Sequence, residues 1–220
     1  MTTIEQFIAK TELAEPWHNR RFAKSFQIVQ PLLTRESAVL CLGMPGTFEA
    51  LLREFIGCSV ESTGETDLRY ITTSTTYDLI LCMEVIEHVR DQEGGDVATF
   101  TASGILNMLK FAHESLKPGG KLFLTTPNVN SWRNLWLWMK NLHPYMFPPH
   151  HRELCKKDVQ DLMKKSGKWT EELAMATDCW SNHGCSAEQV GKMFSMMRGK
   201  GVDCSAETRA DDLFFVYSRI

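Results

Sequence analysis

The sequence predicts an α/β protein built on a parallel sheet with right-handed crossovers. Three observations carry this. Apolar runs of strand length at Ser37–Leu42, Leu79–Met83 and Lys121–Thr126 are separated by helix-patterned segments. A glycine-bounded turn, Gly43–Gly46, joins the first run to the clearest amphipathic helix in the chain. No run approaches the roughly 20 apolar residues that a membrane-spanning helix needs. Alternating strands and helices lay strands side by side and put the crossovers on the sheet faces.

The elements follow in order. Ile4 to Leu33 reads as helix, interrupted at Glu12–Pro16, with Phe22, Phe26, Val29 and Leu33 on one side. Trp17, His18, Arg20 and Arg21 also lie here, either facing the site pocket or on a solvated helix face, and the arginines are expected on the solvated face. Ser37–Leu42 is the first core strand. Phe48, Leu51, Leu52, Phe55 and Ile56 recur at helical spacing, and Gly57 stops that helix. Cys58–Thr63 is a second strand, Gly64–Thr76 mostly loop, and Asp78–Met83 a strand buried on both faces. Asp91–Asp96 is an acidic loop. Ile105, Leu109, Ala112 and Leu116 mark a helix, Lys117–Gly120 a turn, and Lys121–Thr126 a strand closed by Pro127-Asn128.

Ser131–His151 breaks the alternation and is rich in aromatics. Trp132, Leu135, Trp136, Met139 and Leu142 form one apolar stripe, expected to pack as a lid over the site. Arg133 and Lys140 beside it also suit peripheral membrane contact through residues 132–142. A helix at Lys156–Lys165, a strand at Trp169–Ala176, a helix at Ser186–Arg198 with Ser186 and Gln189 in capping-box positions, and a strand at Leu213–Tyr217 complete the chain. The expected organisation is one domain over residues 1–220, with a helical cap at 1–36 and an aromatic insert at 129–151.

Composition narrows the function. The net charge is −3, so no global basic field recruits nucleic acid, and none is expected as a partner. The seven cysteines are odd in number and none has CxxC spacing, which predicts free thiols in a reducing, cytoplasmic setting. Met1–Lys10 carries Glu5 and lacks the apolar core of a signal peptide.

Tyr77–His88, YDLILCMEVIEH, concentrates the chemistry. If the chain turns helical after Met83, then Glu84, Glu87 and His88 fall at i, i+3 and i+4 on one side of a turn. They would then sit at the carboxyl end of a central parallel strand, where open α/β sheets hold ligands.

AVLCLGMPG at 38–46, YDLILCMEVIEH at 77–88, LKPGGKLFLTTPN at 116–128, HHRELCKKDVQDL at 150–162 and DLFFVYSR at 212–219 together resemble class I S-adenosylmethionine (SAM)-dependent methyltransferases. The resemblance implies a three-layer Rossmann-like fold, its sheet mostly parallel with an antiparallel final strand. It implies SAM binding at Gly43, Met44, Pro45, Gly46 and Thr47, with Glu65 or Asp67 (Glu61 as a rival) on the ribose hydroxyls and Cys82 and Met83 beside the adenosine or sulfonium. Two positions depart from the family pattern: Cys41 replaces an acidic residue and Pro45 a glycine. The short span from Gly43 to Asp78 predicts that a helix and a strand are lost or reduced to loop.

ExxEH further resembles two metal-using branches, the small-RNA 2′-O-methyltransferases and the ubiquinone-pathway O-methyltransferases. That likeness implies a divalent ion on Glu84, Glu87, His88 and a histidine after the TPN turn. His150 and His151 are both available, and His151 is taken as the ligand. Such a donor set suits Mn²⁺, Fe²⁺, Co²⁺ or Zn²⁺ better than Mg²⁺. Without a metal, His88 or His151 is the candidate base. The expected activity is O-methylation of a small-molecule acceptor such as a sugar or phenol. Metal-dependent RNA 2′-O-methylation and a non-catalytic, methyltransferase-like binding protein are the alternatives.

Overall fold

The computed structural model describes residue 6 and residues 16–43, 46–72, 74–92, 101–144, 149–179 and 187–220. Its elements are α1 (Pro16–Val29), β1 (Ala38–Cys41), α2 (Thr47–Phe55), β2 (Ser59–Ser62), β3 (Tyr77–Met83), α3 (Ser103–Ser115), β4 (Leu116–Pro127), α4 (Trp132–Met139), α5 (Lys156–Ser166), β5 (Trp169–Thr177), α6 (Ala187–Arg198), α7 (Ala206–Arg209) and β6 (Asp212–Arg219). Short 3₁₀ turns follow α1 at Gln30–Leu32 and β3 at Ile86–His88. The Glu12–Pro16 break lies largely outside the described residues, as does Ser186.

Six strands form one sheet in the order β2-β1-β3-β4-β6-β5. β2, β1, β3 and β4 pair in parallel, and β6 runs antiparallel to both β4 and β5. This is the expected Rossmann-like α/β architecture with an antiparallel last strand. Strand alternation divides the core in two. On one face Val39, Leu81, Phe123 and Phe214 pack with Phe22, Phe26 and Val29 of α1 and with Phe48, Leu51 and Leu52 of α2. On the other, Leu40, Ile80, Leu124 and Phe215 pack with Ile105, Met108 and Leu109 of α3 and Val159 and Leu162 of α5. The α1 segment therefore forms part of a helical layer.

One local expectation changes and one holds. Lys117–Gly120 is not a separate turn: β4 begins at Leu116 and the four residues are an irregularity within it, since Tyr77 faces Leu116 while Leu79 faces Lys121. Residues 63–72 and 74–76 carry no helix or strand, so β2 ends one edge of the sheet. The six described cysteines are free. No helix of the described residues is long and apolar enough to cross a membrane.

Candidate active site

Two adjacent threonines organise the carboxyl edge of the sheet. Thr125 and Thr126 close β4 and, on a strand, point to opposite faces. Thr125 Oγ1 donates to Glu84 Oε1 at 2.9 Å, on the α1 face. Thr126 Oγ1 donates to Glu87 Oε2 at 3.0 Å, on the α3–α5 face. The single helical turn expected for Glu84–His88 is thus corrected. Glu84 has a left-handed backbone, φ +54°, and only Ile86–His88 coil, as a 3₁₀ turn. One left-handed residue at the strand end sends the two carboxylates to different sides.

On the α3–α5 face, Glu87, His88 and His150 offer donor atoms that all lie within 4.8 Å of one another. Glu87 is fully buried, and its Oε1 has no hydrogen-bond partner. That oxygen lies 4.0 Å from His150 Nε2, a separation at which both atoms can sit about 2.1 Å from one ion. His150 Nδ1 is hydrogen-bonded to Glu153 Oε1 at 2.9 Å, and Asn134 Nδ2 donates to Glu153 Oε2 at 3.5 Å. A carboxylate behind a ligating imidazole fixes its tautomer and ring orientation. Burial first, then Glu84, raises the Glu87 carboxyl well above its ordinary range. Burial and then His150 hold the His88 imidazole below its ordinary value, so it is neutral at neutral pH, the form that ligates.

His151 is placed differently from the sequence expectation. Its backbone N–H donates to Glu87 O at 2.9 Å, and its exposed ring accepts at Nε2 from Arg90 Nε at 2.7 Å. Loss of hydration and then Arg90 lower its pKa. The bonds of His151 and Arg152 to Glu87 O stitch this segment to the 3₁₀ turn and bring the neighbouring His150, not His151, onto Glu87. Glu84 also stands outside the donor group.

The α1 face carries a second buried charge cluster. Arg21 Nη1 lies 3.1 Å from Glu84 Oε2, with both side chains largely buried. This overturns the solvated position expected for Arg21; Arg20 is exposed as expected. Asp212, at the start of β6, is fully buried with neither carboxylate oxygen hydrogen-bonded. Burial and Glu84 raise its pKa well above the ordinary value.

The remaining candidates lie at the ends of β1, β2 and β3. Gly43 has φ +77°, and a Cβ there would come 3.3 Å from Val85 Cγ2, so glycine keeps the first turn close to the β3 edge. Its N–H donates to Thr63 Oγ1 at 2.8 Å and its C=O accepts from Ser62 Oγ at 2.6 Å. Met44 and Pro45 lie outside the described residues. Gly46 is exposed, and Thr47 is buried at the start of α2. A cavity of about 390 Å³ is walled by Glu65–Arg69 on one side and Val85 and His88–Arg90 on the other. It is large enough for a nucleoside. Asp67 is clamped by Arg69, with contacts from 2.7 to 3.1 Å that hold its carboxyl below the usual value. Glu65 forms no ion pair among the described residues and stands at the cavity rim. Met83 is buried on the α1 face, whereas Cys82 is buried in the opposite core and can offer a ligand only its backbone.

Sequence reasoning missed Arg21, Thr125, Thr126, Glu153 and Asp212. Only the i, i+3 spacing of His150 and Glu153 held a signal, and it would have chosen His150 over His151.

The fold is thus an α/β sheet with a cavity at the carboxyl ends of β2 and β3. The chain belongs to the methyltransferase-domain family, whose model matches residues 6–167, and is a SAM-dependent methyltransferase. No curated protein sequence matches it. Among solved structures it is similar in fold to a SAM-dependent methyltransferase from Archaeoglobus fulgidus (TM-score 0.59, 13% identity, covering 90% of this chain and 94% of that one). It is likewise similar to a SAM-dependent methyltransferase from Thermotoga maritima described as a possible histamine N-methyltransferase (TM-score 0.57, 17% identity, 100% of both chains). A third is the N-methyltransferase NodS from Bradyrhizobium japonicum WM9 with S-adenosyl-L-homocysteine (TM-score 0.52, 12% identity, 98% and 96%).

Proposed function

We propose that this enzyme methylates an oxygen of a small-molecule acceptor held at the Glu87–His88–His150 edge, with a divalent metal on those three side chains. The observation that carries the metal reading is the buried, unpartnered Glu87 Oε1 facing two imidazoles. The cofactor reading rests on the close Gly43–Val85 approach beside the 390 Å³ cavity.

SAM supplies an activated methyl group, and the protein's task is largely to align the acceptor behind it. Gly43–Thr47 hold the methionine end, Glu65 takes the ribose hydroxyls, and Val85 walls the adenine. Asp67 orders that loop through Arg69. A divalent ion would lower the pKa of a bound hydroxyl. Thr126 holds Glu87, and Glu153 holds His150, so both donors are oriented in advance. Without a metal, neutral His88 is the base the chain itself offers beside this position.

Calorimetry with S-adenosyl-L-homocysteine tests the cofactor reading, and absence of binding would sink it. Co²⁺ absorption tests the metal reading. His150→Ala is expected to abolish the ligand-field bands and His151→Ala to keep them; the reverse pattern would return the site to His151. An amine acceptor is the second reading. It is favoured by the largely buried Glu84 and the fully buried Asp212 on the α1 face, both influenced by Arg21, an arrangement that suits a bound ammonium. Turnover of amines that survives EDTA would select it over the metal-assisted reaction.

A further inference from the structure

Helix α4 buries a polar residue and leaves its apolar end exposed. Its buried residue is Asn134, whose Nδ2 donates to Val129 O at 3.2 Å and Asn128 O at 3.4 Å, and whose N–H donates to its N-cap, Ser131 Oγ. Trp132 Nε1 donates to Asp178 Oδ1 at 3.2 Å. The helix is thus anchored by polar groups; Trp132, Leu135, Trp136 and Leu137 are half-buried, while the apolar side chains at its end face water. Trp138 is 71% exposed, Leu142 56% and Met139 45%. The stripe expected to close down as a lid therefore points outward in its second half. On α6, which touches α4, Met196 is 61% exposed.

Charge identifies what this face meets. The protein carries a net −3, yet its sequence from Pro127 to Arg152 contains no aspartate or glutamate and includes Arg133, Lys140 and Arg152. From Ala187 to Lys200 the only acid is Glu188, against Lys192, Arg198 and Lys200. Lys140 is exposed, and its Nζ lies over the Trp136 ring, 4.8 Å from the centroid. Exposed tryptophan and leucine on a segment whose only charges are cationic suit the headgroup boundary of a bilayer, where the ring sits in the interface and the cations meet anionic lipid.

We propose that the α4 face, with Trp138, Met139 and Leu142 as its inserted residues and Lys140 as a headgroup contact, docks this enzyme on an anionic membrane surface. The contact is peripheral and reversible, because the apolar area is small. Chain continuity runs from Leu142 to His150, so the docking face and the proposed ligand cluster terminate one segment of sequence.

Sedimentation of the full chain with phosphatidylcholine vesicles, with and without phosphatidylglycerol, tests this. Binding to the anionic vesicles is expected, weakening as salt rises. Trp138→Ser with Leu142→Ser should abolish it, and Lys140→Glu should weaken it on the order of tenfold. All three sites are exposed, so thermal melts should match the parent. Failure to bind anionic vesicles, or equal binding by the variants, would overturn the proposal. So would a concentration-dependent dimer that the double variant abolishes, because a second copy would then be the occupant. None of these readouts depends on methyl transfer.

Discussion

Arg21 and Glu84 form a buried ion pair, Nη1 to Oε2 at 3.1 Å, that ties the first described helix to the end of the central strand. The pair does more than hold α1 down. Glu84 also accepts from Thr125, so the helix, β3 and β4 meet at one carboxylate.

Removing one partner strands the other charge in the core. Arg21→Met is expected to cost about 3–5 kcal/mol in urea unfolding. Adding Glu84→Gln should restore part of that loss, since both charges are then gone and the glutamine can still accept from Thr125. Strict additivity of the two substitutions would show that the side chains are not coupled.

Asp212 sets a pH dependence. Burial and Glu84 raise its folded-state pKa above the ordinary 3.8, so the folded protein favours the protonated form. The stability associated with that form is present below the unfolded pKa and lost as pH rises through the folded value. Asp212→Asn removes this loss. Its stability relative to the parent should therefore grow as pH rises above about 3.8, measured by urea midpoints across pH 4 to 8. A difference that is flat with pH would mean that Asp212 ionises normally.

His18 titrates in the other direction. Burial first and Arg21 second push its pKa down to about 4 from 6.5. The folded state resists protonation, so stability should fall as pH drops from 6.5 towards 4 and level off below that. His18→Gln should flatten this part of the profile in thermal melts.

Thr126→Val leaves Glu87 in place but removes the donor to its Oε2. Metal affinity by Co²⁺ titration is expected to fall roughly 10–100-fold, with Glu153→Gln behaving alike through His150. Unchanged affinity in both would show that neither contact orients a ligand.

Gly104, in the first turn of α3, touches the same edge from below. A Cβ there would meet Arg90 O at 1.9 Å, and that backbone must move to admit it. Gly104→Ala is expected to cost about 1–3 kcal/mol by overpacking. Because Arg90 and His88 share the displaced segment, Co²⁺ affinity should drop as well, whereas a purely local loss would leave it intact.

The fold was legible because its strands are apolar runs of strand length and its main helices are amphipathic. Leu79–Met83 and Leu213–Tyr217 could pack only between layers, and Phe48–Ile56 only across one. Site details escaped for identifiable reasons. Spacing arguments assume one continuous helix, and the left-handed backbone of Glu84 breaks that assumption at the residue where it mattered. His150 and His151 are neighbours in sequence, and hydrogen bonds to Glu87 O decide between them. Arg21 reads as a solvated helix residue until β3 brings Glu84 beneath it. In α4, the apolar stripe was visible but the side that packs was not, since Asn134 and Ser131 make the anchoring contacts.

The last strand has a kinetic consequence. β6 lies inside the sheet, between β4 and β5, and residues 212–217 are buried. Until it inserts, β4 and β5 each expose an unpaired backbone rim to solvent. Such rims are templates for another chain's strands. Folding must also wait for contacts that are distant along the chain, which makes the closing step slow. An unfolded or half-made chain is therefore most prone to intermolecular pairing along β4, and a peptide spanning 212–219 is a candidate competitor for that groove during refolding.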